Sequence, residues 1–303
     1  MKPEINILIT DLDNMLFDWF RIWHRSFTAM LEKIVEISGV TAEVLIPEIK
    51  AVHERHGTSE HAFLIEELPI LQKHHPSQNL PSIYEPAITA FREARKAELQ
   101  LYPLVRETLE RIRDAGCLII GYTESLEFYS TYRVRKLELD GLLDLVYFPP
   151  DHELPDTRDH IRYHSPDSYR LLHTKAHYTP KGEIKPNPKL LSDILRDASG
   201  RKSTAIYVGD SLMKDVTMAQ AAGITDVWAK YGGSHQKAEY ELLRSVTHWK
   251  AESVEKEKVL TTGEVLPTFV LEHSFAELLD YFVFTRYKSR DMQGSTLTAQ
   301  SRG

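Results

Sequence analysis

The stretch Ile5-Asn6-Ile7-Leu8-Ile9-Thr10-Asp11-Leu12-Asp13 places two carboxylates two residues apart at the end of a short apolar run. Runs of this length that end in polar residues are typical of strands buried in a parallel sheet. Residues two apart in an extended chain point to the same side. Asp11 and Asp13 are therefore expected at one strand end, although Asp is also common in turns and caps.

Four further runs have the same character, and they are Leu118 to Tyr122, Leu145 to Phe148, Ala205 to Val208 and Asp226 to Trp228. Segments with helical spacing alternate with the later runs and end near a glycine, the usual helix stop signal. Thr268 to Leu271 is expected as an edge strand. This alternation predicts an α/β fold with a doubly wound, mainly parallel, Rossmann-like sheet, whose site lies at the carboxyl ends of the strands.

A long stretch without strand character separates the first two runs. It contains four segments with helical spacing, Trp19 to Ser38, Ala42 to Arg55, Glu60 to His74 and Tyr84 to Leu99. We predict an inserted α-helical cap domain over residues 19–99, with the catalytic core formed by 1–18 and 100–288. Residues 149–182 are expected to form a lid-like insertion within the core, and the polar tail 289–303 is expected to be disordered.

Composition limits the class of protein. The 303 residues are 42% hydrophobic and 27% charged, as in ordinary globular enzymes, and the formal net charge of -7 argues against nucleic acid as a partner. No apolar run is long enough to span a membrane, and the first residues do not resemble a signal peptide. A single cysteine, Cys117, fits a reducing compartment. We therefore expect a cytoplasmic protein with no membrane or nucleic-acid partner; the oligomeric state is left open.

The other predicted strand ends also carry polar side chains. Thr123 follows the second strand, Asp210 and Asp215 follow the fourth, and Lys185 lies before the helix that precedes the fourth. Each alone fits a cap, a solvated lysine or a turn. Their order and placement together favour one shared site.

This ordered set resembles the four motifs of haloacid-dehalogenase-like phosphohydrolases, at both ends of the chain. The resemblance implies that Asp11 is the nucleophile and Asp13 the general acid/base. It implies that Thr123 binds phosphate, that Lys185 is the lysine of the third motif, and that the paired acids Asp210 and Asp215 bind Mg²⁺. Residues 19–99 then correspond to the helical cap that this superfamily inserts between its first two motifs.

The chemistry agrees with these roles. A carboxylate that attacks phosphorus divides one difficult displacement into two steps, and a second carboxyl group can supply a proton and later remove one. Crowded carboxylates raise one another's pKa, which a hard divalent cation and a lysine would offset. Mg²⁺ prefers oxygen ligands, and we expect them from Asp11, Asp210 or Asp215 and the chain at Asp13.

Asp13 also favours phosphoryl transfer over dehalogenation, because a halide leaving group needs no proton and the dehalogenases generally lack this carboxylate. Two positions depart from the usual pattern. Met15 is expected to change only packing. Glu124 follows Thr123 where a neutral residue is usual, so it either turns outward or restricts the substrate by binding it.

Substrate selection is expected from the cap. Arg55 and His56, at a helix-to-helix turn, are the best local candidates, although a solvated helix end would look the same. The pairs His160 with His164 and His173 with His177 could each share a helix face and suggest zinc. No cysteine or carboxylate pattern completes a tetrahedral set, so a lid is the preferred interpretation of this segment.

The leading hypothesis is a phosphatase that acts on a small phosphorylated metabolite through an aspartyl-phosphate. One alternative is a phosphosugar mutase that resembles β-phosphoglucomutase. Another is a binding protein with weak turnover, against which the intact set of acids and lysine argues. The sequence does not name the substrate.

Overall fold

Seven parallel strands form the central sheet of the computed structural model, which describes residues 1–151, 165, 167–250, 252, 255 and 265–288. In chain order the strands of the protein are β1 (Glu4–Ile5), β2 (Ile7–Thr10), β3 (Leu118–Tyr122), β4 (Leu145–Phe148), β5 (Lys175–Tyr178), β6 (Ala205–Gly209), β7 (Thr225–Ala229), β8 (Phe269–Leu271) and β9 (Val283–Phe284). The sheet has the order β5-β4-β3-β2-β6-β7-β8, and β1 pairs with β9 outside it. The predicted fold class is confirmed.

The sheet is buried on both faces, as continuous apolar strands predict. Along β2, Leu8 packs into one core cluster while Ile7 and Ile9 pack into the cluster on the opposite face. The strand order reverses at β2, which lies between β3 and β6. Ligands of open α/β sheets bind at such a reversal, outside the carboxyl ends of the strands. Asp11, the first residue after β2, lies at this point.

Eleven α-helices have both of their ends within the described residues. They are α1 (Trp19–Ser38), α2 (Ala42–His56), α3 (Pro69–His74), α4 (Leu80–Ile83), α5 (Glu85–Glu98), α6 (Val105–Asp114), α7 (Glu127–Lys136), α8 (Pro188–Asp197), α9 (Thr217–Ala222), α10 (Tyr240–Val246) and α11 (Leu278–Tyr281). None is long and apolar enough to cross a membrane.

The helices α1 to α5 share an apolar core of their own, to which Trp23, Phe27 and Ile49 contribute. Leu243 and Val246 of α10 belong to the same cluster. A helix from late in the chain therefore completes the packing of the segment 19–99. Sequence periodicity does not reveal this, because α10 is short and its partners lie some 200 residues away.

Two expected elements differ in the structure. The segment Glu60 to His74 is not one helix: it contains a 3₁₀ turn at Ile65–Glu67, and α3 starts only at Pro69. Proline lacks the amide N–H that a continuing helix needs but is well placed in a first turn.

The second difference concerns 149–182. Residues 175–178 form the edge strand β5 and are all exposed. His177 lies in this strand, so the expectation that His173 and His177 share a helix face is wrong. Residues 152–164 and 166 of the expected lid, with His160 and His164, lie outside the described residues, as does the tail 289–303.

Candidate active site at the carboxyl ends of the strands

Three carboxylates and one lysine meet beyond the ends of β2 and β6. Lys185 Nζ lies 2.7 Å from Asp11 Oδ2 and 3.1 Å from Asp215 Oδ1. Carboxylate oxygens of Asp11, Asp210 and Asp215 all lie within 4.8 Å of one another. Lys185 is only 3% exposed, so its charge is matched by these acids and not by solvent.

Local backbone structure positions Asp215. The Tyr207 hydroxyl donates a hydrogen bond of 2.7 Å to Asp215 Oδ1, and the Ser211 amide donates one of 3.0 Å to Oδ2. Gly209, the last residue of β6, lies so close that a Cβ there would overlap the carboxyl group of Asp215. The turn after β6 therefore requires glycine at this position to bring Asp215 back over the strand end.

The electrostatics of this group are those of crowded acids. Burial raises the pKa of Asp11 to about 7, with a further contribution from the charges of Asp215 and Asp13 and an opposing one from Lys185. Burial and the charges of Asp215 and Asp11 raise the pKa of Asp210 well above its ordinary value. One lysine does not balance three acids, of which Asp11 and Asp215 are buried and Asp210 is partly buried. The all-oxygen donor set fits a hard divalent cation such as Mg²⁺.

Asp13 has different surroundings, although it lies only two residues after Asp11. The hydroxyls of Thr123 and Ser125 donate to Asp13 Oδ2 at 2.9 and 2.7 Å. Arg133 Nη1 donates to Oδ1 at 3.3 Å. The Asp13 carboxylate is therefore not part of the group formed by the other three acids. If Asp13 contributes a metal ligand, that ligand is its main-chain carbonyl and not its side chain.

Asn14 and Gly232 close the other side of the turn after β2. Asn14 adopts the left-handed region with φ 57°, and its Nδ2 donates to Asp210 Oδ2 at 3.3 Å. A Cβ at Gly232 would overlap the Asn14 carbonyl oxygen. Glycine at this position thus lets the chain after β7 approach the turn that carries Asp11 and Asp13.

Glu124 turns towards two lysines. Its Oε2 lies 2.7 Å from Lys214 Nζ, and its Oε1 accepts a hydrogen bond of 2.8 Å from the Lys185 amide. Although burial raises it, the charges of Lys214 and Lys185 hold the pKa of Glu124 below its ordinary value. The structure pairs Glu124 with the protein itself, so its unusual negative charge needs no cation on the substrate.

The cap candidates Arg55 and His56 both contact Glu67. Arg55 Nη1 and His56 Nε2 each lie 2.8 Å from Glu67 Oε2, and His61 Nε2 lies 2.8 Å from Oε1. The rings of His56 and His61 stack with centroids 3.7 Å apart. The structure therefore joins Arg55 and His56 to Glu67 of the same helical segment and not to the strand-end acids, and this group lies at the turn that leads to Ser59 and Glu60.

Sequence reasoning missed four residues of this site: Ser125, Arg133, Lys214 and Asn14. Ser125 and Lys214 lie within recognised motifs and could have been found there, Ser125 two residues after Thr123 and Lys214 as the partner that Glu124 requires. Arg133 gave no signal, because the last turn of α7 contains three basic residues and only contacts distinguish the buried one.

The strand order, the position of each acid and the buried lysine match the arrangement expected from the resemblance to haloacid-dehalogenase-like hydrolases. The comparisons agree. A family model described as HAD-hydrolase-like matches residues 184–256. This segment contains Lys185, Asp210 and Asp215, so the match supports the resemblance that the sequence implied.

Among curated relatives, glyceraldehyde 3-phosphate phosphatase of Methanopyrus kandleri is 22% identical over 232 residues, which cover 75% of this chain and 85% of the relative. Two solved structures share the fold. The HAD phosphatase from Thermococcus onnurineus has a TM-score of 0.51 at 15% identity and covers 93% of this chain and 100% of its own. A 2-haloacid dehalogenase from Pseudomonas syringae has a TM-score of 0.52 at 18% identity and covers 91% and 97%.

Proposed function

We propose that the chain is a Mg²⁺-dependent phosphatase that hydrolyses a small phosphorylated metabolite through an aspartyl-phosphate on Asp11. The observation that carries this proposal is the contrast between two acids of one strand end. Asp11 lies beside a buried lysine and two further acids, whereas Asp13 is held by two hydroxyls and a guanidinium. Similarity to glyceraldehyde 3-phosphate phosphatases supports the same class of reaction.

In the first step a carboxylate oxygen of Asp11 attacks phosphorus, and the bond from phosphorus to the leaving oxygen breaks. Asp13 donates a proton to that oxygen. Lys185, 2.7 Å from Asp11, offsets negative charge around the phosphoryl group as the step proceeds. Main-chain N–H groups after Asp11 would hold phosphate oxygens, whereas the one hydroxyl proton of Thr123 is donated to Asp13 and would have to turn from it to reach phosphate.

In the second step water attacks the phosphorus of the aspartyl-phosphate. Asp13, now deprotonated, removes a proton from the water, and the Asp11 carboxylate leaves. The hydroxyls of Thr123 and Ser125 keep Asp13 directed away from the other acids, on the side of the leaving group. One residue thus serves as acid in one half-reaction and as base in the next.

Mg²⁺ would be held by Asp11, Asp210 and Asp215, with a main-chain carbonyl at Asp13 as a further candidate. When bound, the ion would neutralise charge on the carboxylates and the phosphate and orient the phosphate for in-line attack. Burial, and then the charges of the neighbouring acids, raise the pKa values of Asp11 and Asp210, and a divalent cation held by these oxygens would favour their charged forms.

The test is phosphate release from a panel of sugar phosphates, phosphorylated acids, nucleotides and p-nitrophenyl phosphate, with Mg²⁺ and with excess chelator. We expect turnover of small phosphate esters with Mg²⁺ only. Rapid quenching and peptide mass spectrometry should find phosphate on the peptide that contains Asp11. Absence of phosphate release across the panel, or a phosphate label on another residue, would refute the proposal.

A further inference from the structure

A second group of possible metal ligands lies in the helical segment between β2 and β3 and shares no residue with the strand-end acids. It consists of His56, His61 and Glu67, whose ligand atoms all lie within 4.8 Å of one another. His56 Nε2 lies 2.8 Å from Glu67 Oε2, and His61 Nε2 lies 2.8 Å from Oε1. The two imidazoles therefore direct the same nitrogen atom towards the two oxygens of one carboxylate.

The chain between α2 and α3 builds this arrangement from a short stretch of sequence. His56 is the last residue of α2, and Gly57 ends that helix with a φ of 63°, in the left-handed region. His61 lies in the loop that follows, and Glu67 is the last residue of the 3₁₀ turn Ile65–Glu67. The ligands are close in sequence and close only short loops, so joining them through an ion costs little chain entropy.

The two imidazole rings have a fixed relation to each other. Their planes are within 9° of parallel, and their centroids lie 3.7 Å apart. The side chain of His61 is only 2% exposed, whereas the side chains of His56 and Glu67 are 23% and 28% exposed. Burial thus holds one side of the group in place, and the other side can receive an ion from solvent.

The donor atoms distinguish this group from the strand-end acids. Two imidazole nitrogens and one carboxylate form a known three-ligand set for Zn²⁺, in which water takes the fourth tetrahedral position. Mg²⁺ instead prefers oxygen ligands. Tetrahedral bonds of about 2.0–2.1 Å place neighbouring ligand atoms roughly 3.4 Å apart. The two N···O distances of 2.8 Å would therefore have to grow by only about half an ångström.

Arg55 is a competing partner of Glu67. Its Nη1 lies 2.8 Å from Glu67 Oε2 and offsets part of the carboxylate charge. The side chain of Arg55 is 56% exposed, and an exposed ion pair adds little to stability. Arg55 can therefore turn into solvent at small cost and leave this oxygen to a metal ion.

We propose that His56, His61 and Glu67 form a Zn²⁺ site that is separate from the group of strand-end acids. The ion would be held by the Nε2 atoms of both histidines and by a carboxylate oxygen of Glu67, with water as the fourth ligand. It would join the end of α2 to the 3₁₀ turn and so restrain the loop between them, which carries Glu60. This proposal concerns metal binding and does not rest on the proposed phosphatase function.

The first test uses the full wild-type chain, stripped of metal by a chelator and titrated with Co²⁺ at about pH 8, where free imidazole is uncharged. In a tetrahedral site with nitrogen ligands, Co²⁺ absorbs visible light far more strongly than in an octahedral site made of oxygen. We expect one equivalent of Co²⁺ to produce the strong absorption. Excess Zn²⁺ should abolish it by occupying the same site, and excess Mg²⁺ should leave it unchanged.

Variants then assign the absorption to residues. His61→Gln and Glu67→Gln each remove one ligand and should weaken Zn²⁺ binding by at least about 100-fold, beyond the effect of changing only a partner of a ligand. His74→Gln is the matched control, because it removes an exposed imidazole from the same helical segment. Asp210→Asn alters the strand-end acids, and both controls should keep the absorption. If His61→Gln does not fold by circular dichroism, the partly exposed His56 is replaced by Gln instead.

Three results would overturn the site. One is the absence of the strong absorption in the wild-type protein, and another is its persistence in the folded ligand variants. The third is its loss in Asp210→Asn or in excess Mg²⁺, which would place the ion among the strand-end acids.

Discussion

Replacing Asp13 by Asn separates the acid/base function from nucleophilic attack. The amide keeps the shape of the side chain and an oxygen that can accept hydrogen bonds from the hydroxyls of Thr123 and Ser125. In the wild-type protein these hydroxyl oxygens lie 2.9 and 2.7 Å from Asp13 Oδ2. Arg133 loses one partner but retains its ion pair with Glu60. The cost to folding is therefore about 1.5–3 kcal/mol, the range for one lost hydrogen bond to a charged group, and the variant should fold.

The kinetic cost depends on the leaving group. An alkoxide needs the proton that Asp13 supplies, so turnover of 3-phosphoglycerate or glycerol 3-phosphate should fall by about 10²–10⁴-fold, the usual contribution of general acid/base catalysis. p-Nitrophenolate is a stable anion and hardly needs a proton. The first step on p-nitrophenyl phosphate should be relatively spared, while loss of the base slows the second step, so phosphate should accumulate on Asp11.

The assay compares wild type, Asp13→Asn and Asp11→Asn on an alkyl and an aryl ester. Burst kinetics follow p-nitrophenolate, and mass spectrometry follows the Asp11 peptide. Asp11→Asn should show background turnover on both substrates and no phosphopeptide. Retained turnover in Asp11→Asn, together with an equal loss on both substrates in Asp13→Asn, would show that the two roles are assigned wrongly.

Three further outcomes are expected. Excess chelator should abolish phosphate release and added Mg²⁺ restore it, while Ca²⁺ should inhibit because its looser coordination spoils in-line geometry; full turnover in chelator would contradict this. Gly209→Ala should reduce activity at least tenfold and stability by about 1–3 kcal/mol, because the new methyl group displaces Asp215; wild-type kinetics would refute it. Burial lowers the pKa of His53 to about 4, so this neutral side chain stabilises the fold above its unfolded pKa of about 6.5, and that stability is lost as the pH falls towards 4. The free energy of unfolding, measured in urea, should therefore fall between pH 7 and pH 5 by about 2 kcal/mol more in wild type than in His53→Gln. Equal decreases in the two proteins would exclude His53 as the source.

The strands were predictable because parallel strands buried on both faces leave short, continuous apolar runs. Four of the runs reappear as β3, β4, β6 and β7, and the run at Ile5 to Ile9 divides at Asn6 into β1 and β2. β5 was missed for the opposite reason. It lies at the sheet edge with all four residues exposed. Its structure is therefore determined by hydrogen bonds to β4 and not by burial, and backbone hydrogen bonds do not require apolar residues in the sequence.

For the site as well, some residues were predictable from the sequence and others were not. Asp11, Lys185, Asp210 and Asp215 occupy strand ends or fixed motif positions, and the structure brings these four together. The partners of Arg55 and His56 were not predictable, because a long polar side chain can form an ion pair or hydrogen bond with any of several neighbours. Arg55 and His56 contact Glu67, an acid 11 or 12 residues later in the chain, which spacing alone does not reveal.

Arg133 connects the strand end that carries Asp13 to the turn that carries Glu60. Its guanidinium contacts Asp13 from the core and Glu60 from the turn after α2, and its side chain is only 2% exposed. Removing either partner would leave a buried cation with a single acid, which is costly in a low-dielectric interior. The position of the turn at Glu60 and the orientation of Asp13 are thus coupled through one side chain. A substrate that displaces this turn must also act on Asp13, whereas the Asp11–Lys185 pair lies outside that connection.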